Sequence, residues 1–422
     1  ATAAEAKYVI QDSQAKFVFA EDQEQVDKIL DIKEEVPFVE KIIYWDPKGL
    51  WFYDDPLLMS FDELVKLGRK QDEVNPGHFE EVVAKGSGDD IAMLLYTSGA
   101  TGMPKGCVLT QKNLLSAANN IIAFVNLTED DDMVSWISPA WVASQASELF
   151  PSLMSGSILN FCESPETVMR DIREIGVNYW MNGNRVWENL IREIQVRIAD
   201  TSRLPRFIYN LFLPVGYKVF SMRKEGKRPN LFWRSLYWLA WWLVFRPLQD
   251  FLGLSHTRVA HGAGLAISPD TFDYYGAMGI NLREVYGITE CAAITVQEPD
   301  DFIFDSVGVP VVDGEIRITE EGEIAVRNDA VFQGYYKDPE RTKQRLRNGW
   351  VLSGDAGNVS EGGQVIFIDR MADLIPLRTG KFSPQYIEGR LRFSPYIKDC
   401  VALGGEDSDY VSTLISINYD IV

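Results

Sequence analysis

The densest group of residues able to do chemistry is Thr97-Ser98-Gly99-Ala100-Thr101-Gly102-Met103-Pro104-Lys105-Gly106, which follows an apolar run at 91–96. Its small residues let successive backbone N–H groups point inward, the hydroxyls add donors, and Lys105 adds charge. That combination suits an oligophosphate. It is not a Walker A loop, because Pro104 replaces the second glycine and Gly106 follows the lysine where Ser or Thr belongs. A second group, Tyr286-Gly287-Ile288-Thr289-Glu290, joins an aromatic face fit for a purine to a carboxylate of the kind a hard cation prefers. Each has a plainer reading: a mobile surface loop for 97–106, core packing for Tyr286, a surface acid for Glu290 and a turn residue for Asp355.

The surrounding pattern says what must hold these groups. Short β-branched runs alternate with helical periodicity (91–96, then a helix at 112–125, then 133–137), which predicts an α/β fold with largely parallel strands. The phosphate-type stretch is expected to follow a strand and precede a helix. After Asp300 short strands at 315–318, 323–327 and 365–368 are split by Gly, Asp and Asn turns, predicting a small antiparallel sheet or barrel. The late boundary is placed near 370–384. Forty-one Lys and Arg against 61 Asp and Glu leave a net charge of −20, which excludes a general nucleic-acid binder. Four scattered cysteines read as reduced thiols of a cytoplasmic protein, and three histidines are too few for a His-rich metal site. Ala1 is not an initiator, so the chain is expected to start and stop inside a longer protein.

One segment stands apart. Residues 231–245 hold Trp233, Trp238, Trp241 and Trp242, and a basic cluster at 223–228 precedes them. The run is shorter than the roughly 20 residues a spanning helix needs, and Arg234 interrupts it. It reads either as a helix packed on the main domain or as an interfacial helix making peripheral membrane contact through 223–245 at the inner face of the membrane.

The 96–106 stretch resembles the phosphate-binding signature of the adenylate-forming superfamily of acyl-CoA synthetases, luciferases and peptide-synthetase adenylation domains. Four further stretches resemble that family's signatures in order. The resemblance implies that Tyr286 stacks on adenine, Thr289 contacts the AMP phosphate, and Glu290 holds Mg2+. It implies that Gly264-Leu265-Ala266 wall the adenine, with Leu265 and Ala266 substituting an Ala-Pro, and that Asp355 of Ser353-Gly354-Asp355 grips the ribose hydroxyls. Arg370 of Asp369-Arg370 is implied to face the ribose or phosphate. Asn184-Arg185-Val186-Trp187-Glu188 resembles a stretch of the long-chain fatty acyl-CoA synthetases, as do Phe332-Gln333-Gly334-Tyr335-Tyr336 and Asn348-Gly349-Trp350. Trp141 stands where many relatives carry a histidine by the acyl pocket, so an indole there is expected to reshape the tunnel, unless Trp141 is plain core. The implied substrate pocket includes Trp141, Gly264 and Gly287.

The implied architecture is α/β subdomains over 1–310, a small β-barrel-like subdomain over 311–371, and the beginning of an α+β C-terminal lid over 372–422. The implied reaction activates a fatty acid with ATP, then forms a thioester with coenzyme A. Lys105, Thr289 and the Mg2+ on Glu290 position and neutralise charge. The alternative is a relative that loads a carrier protein, or a non-catalytic nucleotide binder. The implied hinge position carries Ala372, and Lys398 lies too early, in a helix-to-strand turn, to replace the lid's catalytic lysine. That lysine is expected downstream of Val422, so residues 1–422 alone should bind ATP but adenylate poorly; ATP–pyrophosphate exchange at the full rate would contradict this.

Overall fold

The computed structural model describes residues 2–97, 103–264, 267–298 and 306–419. The chain divides into two compact units, 1–111 with 333–339, and 112–332 with 340–422.

The first unit opens on the helix Ala3–Ser13, whose start is fixed by a reciprocal pair: Thr2 accepts from the Glu5 backbone and Glu5 accepts from that of Thr2. The strands Phe17–Ala20, Lys41–Tyr44 and Leu58–Ser60 form a parallel sheet in that order. Val26, Ile29, Ile42 and Leu50 make its core. The strand Ile91–Thr97 then pairs antiparallel with Lys105–Thr110, and Gly334–Tyr335 adds to the far edge of the latter. The strand before this stretch and the helix after it, Gln111–Val125, stand where the sequence places them, and the strand Lys105–Thr110 between them is an addition that the sequence pattern did not mark. A short apolar run has the same appearance in a parallel and an antiparallel strand, so the pattern alone could not tell them apart.

The second unit is built on a seven-stranded sheet. Its order is Val309–Pro310, Ala292–Val296, Leu282–Ile288, Val259–Ala263, Tyr179–Gly183, Asp132–Ser135, Ile158–Phe161. The strands from Leu282–Ile288 to Ile158–Phe161 are parallel, and the other two are antiparallel additions. Helices Asn184–Asp200, Arg203–Lys224 and Pro269–Met278 contribute to a core around Trp180, Trp187, Tyr274, Tyr275 and Phe245. A five-stranded antiparallel sheet carries Glu315–Ile318, Glu323–Arg327, Trp350–Val359, Leu346–Arg347 and Val365–Arg370, as the turn-rich sequence after Asp300 predicted. Beyond it, 374–384 contains the hairpin Ile375–Leu377 with Gly380–Phe382. The helix Pro384–Arg392 then packs on the hairpin Ile397–Leu403 with Ser412–Ile417. Lys398 lies inside the first of these last strands and not in a turn.

Two glycines set how closely the second unit's helices approach. A Cβ at Gly276 would lie 2.2 Å from Phe220 Cζ, and one at Gly216 would lie 2.7 Å from Ala277 O and from Phe245 Cζ. Gly68, in the helix Phe61–Val74, meets nothing within 4 Å. Alanine gains up to about 1 kcal/mol in helix propensity at any of these sites, whereas overpacking a core costs about 1–3 kcal/mol. Gly276→Ala is therefore expected to lower the urea midpoint of the protein and Gly68→Ala to raise or preserve it; a stabilised Gly276→Ala would contradict the close helix contact.

Candidate active site

In the second unit, the strand Leu282–Ile288 turns through Thr289–Cys291 into Ala292–Val296, so Thr289 and Glu290 sit at a hairpin tip. Gly287 is required there: a Cβ would lie 2.0 Å from Ala292 O, where the strand register shifts. Tyr286 is buried, and its hydroxyl donates to Asp355 Oδ2 at 2.7 Å while its ring lies tilted on Phe367. Asp355 comes from Trp350–Val359, a strand that bulges over 353–355 against Glu323–Arg327; within the bulge Gly354 has a φ of +77°, open to glycine at little cost. Gly354 N donates to Glu323 Oε1 at 2.6 Å, and Asp355 N donates to Ser353 Oγ at 3.1 Å. Burial pushes the Asp355 carboxyl up to about 6; the Tyr286 hydroxyl and the Arg370 and Arg345 charges pull it back.

Two arginines complete this cluster. Arg370 is directly opposite Asp355 in register. Arg345 was not foreseen. Its Nη2 donates to Ser353 O at 2.6 Å and its Nε lies 3.4 Å from Glu290 Oε1, so one guanidinium ties the hairpin tip to the Asp355 strand. Asp369, fully buried, accepts from Ser383 Oγ at 2.6 Å and from Arg370 N. Ser383 is also the N-cap of Pro384–Arg392. Glu188 lies 3.8 Å from Arg392 of that same helix. No sequence spacing signals these pairs, because each joins segments far apart in the chain.

In the first unit, Thr97 and Lys105 are the last register pair before the connection between their strands, and Lys105 Nζ lies 5.5 Å from the centre of the Tyr335 ring. The flanks are anchored to the first helix: Tyr96 OH donates to Asp12 Oδ2 at 2.7 Å and Tyr8 OH donates to Pro104 O at 2.8 Å. A Cβ on Gly106 would press on the Tyr96 ring at 3.2 Å. Ser98, Gly99, Ala100, Thr101 and Gly102 lie outside the described residues, as do Leu265 and Ala266. Gly264 is described, with φ of +97°.

Trp141 precedes the short helix Val142–Ser144 and is 41% exposed, so it is not core packing. The helix continues through a π turn, Gln145–Leu149, which buries Glu148. Ser135 and Ser144 hydroxyls donate to Glu148 Oε2 at 2.6 and 3.0 Å. Burial nonetheless pushes this carboxyl up to about 7. Burial likewise drives His261 down to about 3, so it stays a neutral ring beside the Tyr179 hydroxyl, 3.2 Å from Nδ1.

A family model described as "AMP-binding enzyme" matches residues 1–336. The chain is 25% identical over 430 residues to the long-chain-fatty-acid–CoA ligase ACSBG2 of Xenopus laevis, covering 98% of this chain and 57% of that protein. It is 25% identical over 421 residues to the long-chain-fatty-acid–CoA ligase FadD15 of Mycobacterium tuberculosis, covering 99% and 67%. The chain thus spans between about half and two thirds of the length of these relatives. Among solved structures it superimposes on the anthranilate CoA ligase AuaEII in complex with anthranoyl-AMP, with a TM-score of 0.70, 17% identity, and coverage of 99% of this chain and 70% of that one. At that identity the likeness is one of fold.

Glu148 gives a test of how deeply its pocket is sealed. Its folded pKa lies above the value of 4.5 for an open chain, so the native state binds the proton more tightly. The associated stability is full below about pH 4.5 and is lost as pH rises through about 7. Glu148→Gln keeps the shape without the ionisation. Urea titrations across this range should show the variant gaining on wild type as pH rises, by up to about 3 kcal/mol at about 1.4 kcal/mol per unit. A constant difference across the range would contradict a buried, protonated Glu148.

Proposed function

The chain belongs to the AMP-binding enzyme family, and from that membership we propose that the protein activates a fatty carboxylic acid with ATP and passes the acyl group to coenzyme A. A carboxylate oxygen attacks the α-phosphorus and pyrophosphate leaves; the thiol sulfur then attacks the acyl carbonyl, the acyl C–O bond breaks with its electron pair going to AMP, and the thiol proton is released to solvent. The observation that carries this reading is that Tyr286 and Asp355, from separate sequence motifs, meet in one buried cluster with Arg345 and Arg370 around it. In this assignment Tyr286 packs against the adenine, Asp355 and Arg370 take the ribose, and Thr289 takes the α-phosphate. Thr97 and Lys105 of the first unit are read as phosphate-binding groups. The names of the relatives favour a long-chain acid and coenzyme A as acceptor.

Magnesium fits this donor set in one way. Among the described residues no group of three His, Cys, Asp or Glu side chains could hold an ion by itself. An ion carried on a triphosphate needs only one or two carboxylates, and Glu290 supplies one. When bound there it would neutralise charge on the phosphates. The protein's own residues do the rest: Arg345 fixes the Glu290 carboxylate, Tyr286 fixes Asp355, and no protein nucleophile is needed.

The full-length protein should release AMP only when ATP, a fatty acid and coenzyme A are all present, measured across acids of graded length. Lys105→Ala and Thr289→Ala should each lower kcat by about 10²–10³, the loss seen when one donor to developing charge is removed. AMP release that ignores the acid, or undiminished rates in both variants, would overturn the assignment.

A further inference from the structure

The Trp-rich segment is the helix Leu231–Ala240, continued through a π turn at Trp241–Phe245 into Arg246–Leu252. It packs beside the helix Arg203–Lys224. The packed-helix reading of the sequence holds for one side of this segment. Trp233, Leu236, Tyr237 and Trp241 pack on the unit's core, while Leu231, Trp238 and Trp242, spaced at i, i+7 and i+11, lie on the other side and are exposed. Trp238 is 63% exposed and Leu231 78%. Leu204, Phe207 and Leu211 repeat the arrangement on the neighbouring helix, at i, i+3 and i+7. The water-facing side of these two helices thus sets large apolar and aromatic side chains among its polar ones, where a surface helix is ordinarily polar.

The same stretch is cationic. Residues 203–246 contain nine Lys and Arg and one acid, Glu225, in a chain whose net charge is −20. A cavity of about 480 Å³ opens between the two helices, lined by Arg223, Arg228 and Arg234 with Tyr237, Trp238 and Trp241. Among the described residues, none of those three arginines has a carboxylate partner. Arg223 stacks on Tyr237 and Arg246 on Trp242, which holds guanidinium groups level with the rings. No helix among the described residues is long and apolar enough to cross a membrane.

We propose that this helix pair docks on an anionic bilayer, with Trp238, Trp242 and Leu231 entering the interface and the Arg223–Arg228–Arg234 cavity receiving the phosphate of an anionic lipid headgroup. Charge complementarity selects that occupant. The rest of the chain, strongly acidic, is repelled by an anionic surface, so this patch is the part that can approach one, and it turns the same face towards it each time. Indole rings favour headgroup depth, and guanidinium groups on long stems reach phosphate from there. The inference does not rest on the ligase assignment.

The test is co-sedimentation of the full chain with vesicles of phosphatidylcholine alone or with roughly a third phosphatidylglycerol, at physiological salt. Binding is expected to the anionic vesicles alone. Arg228→Glu, in the linker between the helices, and separately Arg234→Glu should each weaken it by about tenfold or more. Trp238→Ser with Trp242→Ser should remove the quenching of tryptophan fluorescence by brominated acyl chains. Far-UV circular dichroism checks that each variant is folded, and the linker variant leaves both helices intact. Equal binding to neutral vesicles, unchanged binding by both charge reversals, or inorganic phosphate binding without vesicle binding would each overturn the proposal. So would a soluble protein partner that covers the patch while no vesicle binds.

Discussion

A carboxylate that must be kept out of water governs the arrangement of the candidate site. Asp355 is buried, and ionising it there is costly unless donors are brought to it. The Tyr286 hydroxyl donates to it from the parallel sheet, and two positive charges stand near it: Arg370 on the neighbouring antiparallel strand and Arg345 at the end of a short helix. Each of these groups belongs to a different element. The left-handed Gly354 lies in the bulge of the strand that carries Asp355, and Glu323 accepts its N–H. Gly287 allows the Tyr286 strand to close on its return strand, which sets Thr289 and Glu290 at the tip. Arg345 then links that tip back to Ser353. Removing the carboxylate would leave two arginines and a tyrosine without the group that organises them.

Much of this was legible in the sequence, for a physical reason. Tyr286, Thr289 and Glu290 are neighbours in one strand and its turn, so their chemistry is written within five residues. Ser353, Gly354 and Asp355 are also local, and the alternation of strands and helices announced the α/β class. What failed is what depends on pairing across distance. Residues 91–96 carry no sign that their partner is the antiparallel strand Lys105–Thr110. Arg345, Ser383 and Glu148 matter through segments far away in the chain, and nothing in their own neighbourhood marks them. For the tryptophan run, composition gave the content of the helix but not which rings point outward.

The chain's net charge of −20 also acquires a sharper meaning. It disfavours a nucleic-acid partner, yet the ligands assigned here are polyanions as well. Local arrangement has to do what the overall field opposes. Lys105 beside Tyr335 and the arginines around Asp355 are such local counter-charges, each within a largely acidic chain. The cationic, aromatic pair of helices at 203–246 is the same device on a larger scale, directed at a surface and not at a small molecule.

The most direct test of the central assignment is isothermal titration of ATP into the wild-type protein and into Asp355→Asn. The account predicts binding by the wild type and a loss of about 10- to 100-fold in the variant, because a hydrogen bond to a charged group contributes about 1.5–3 kcal/mol. Equal affinity in the two proteins, or no binding of ATP by the wild type, would contradict it.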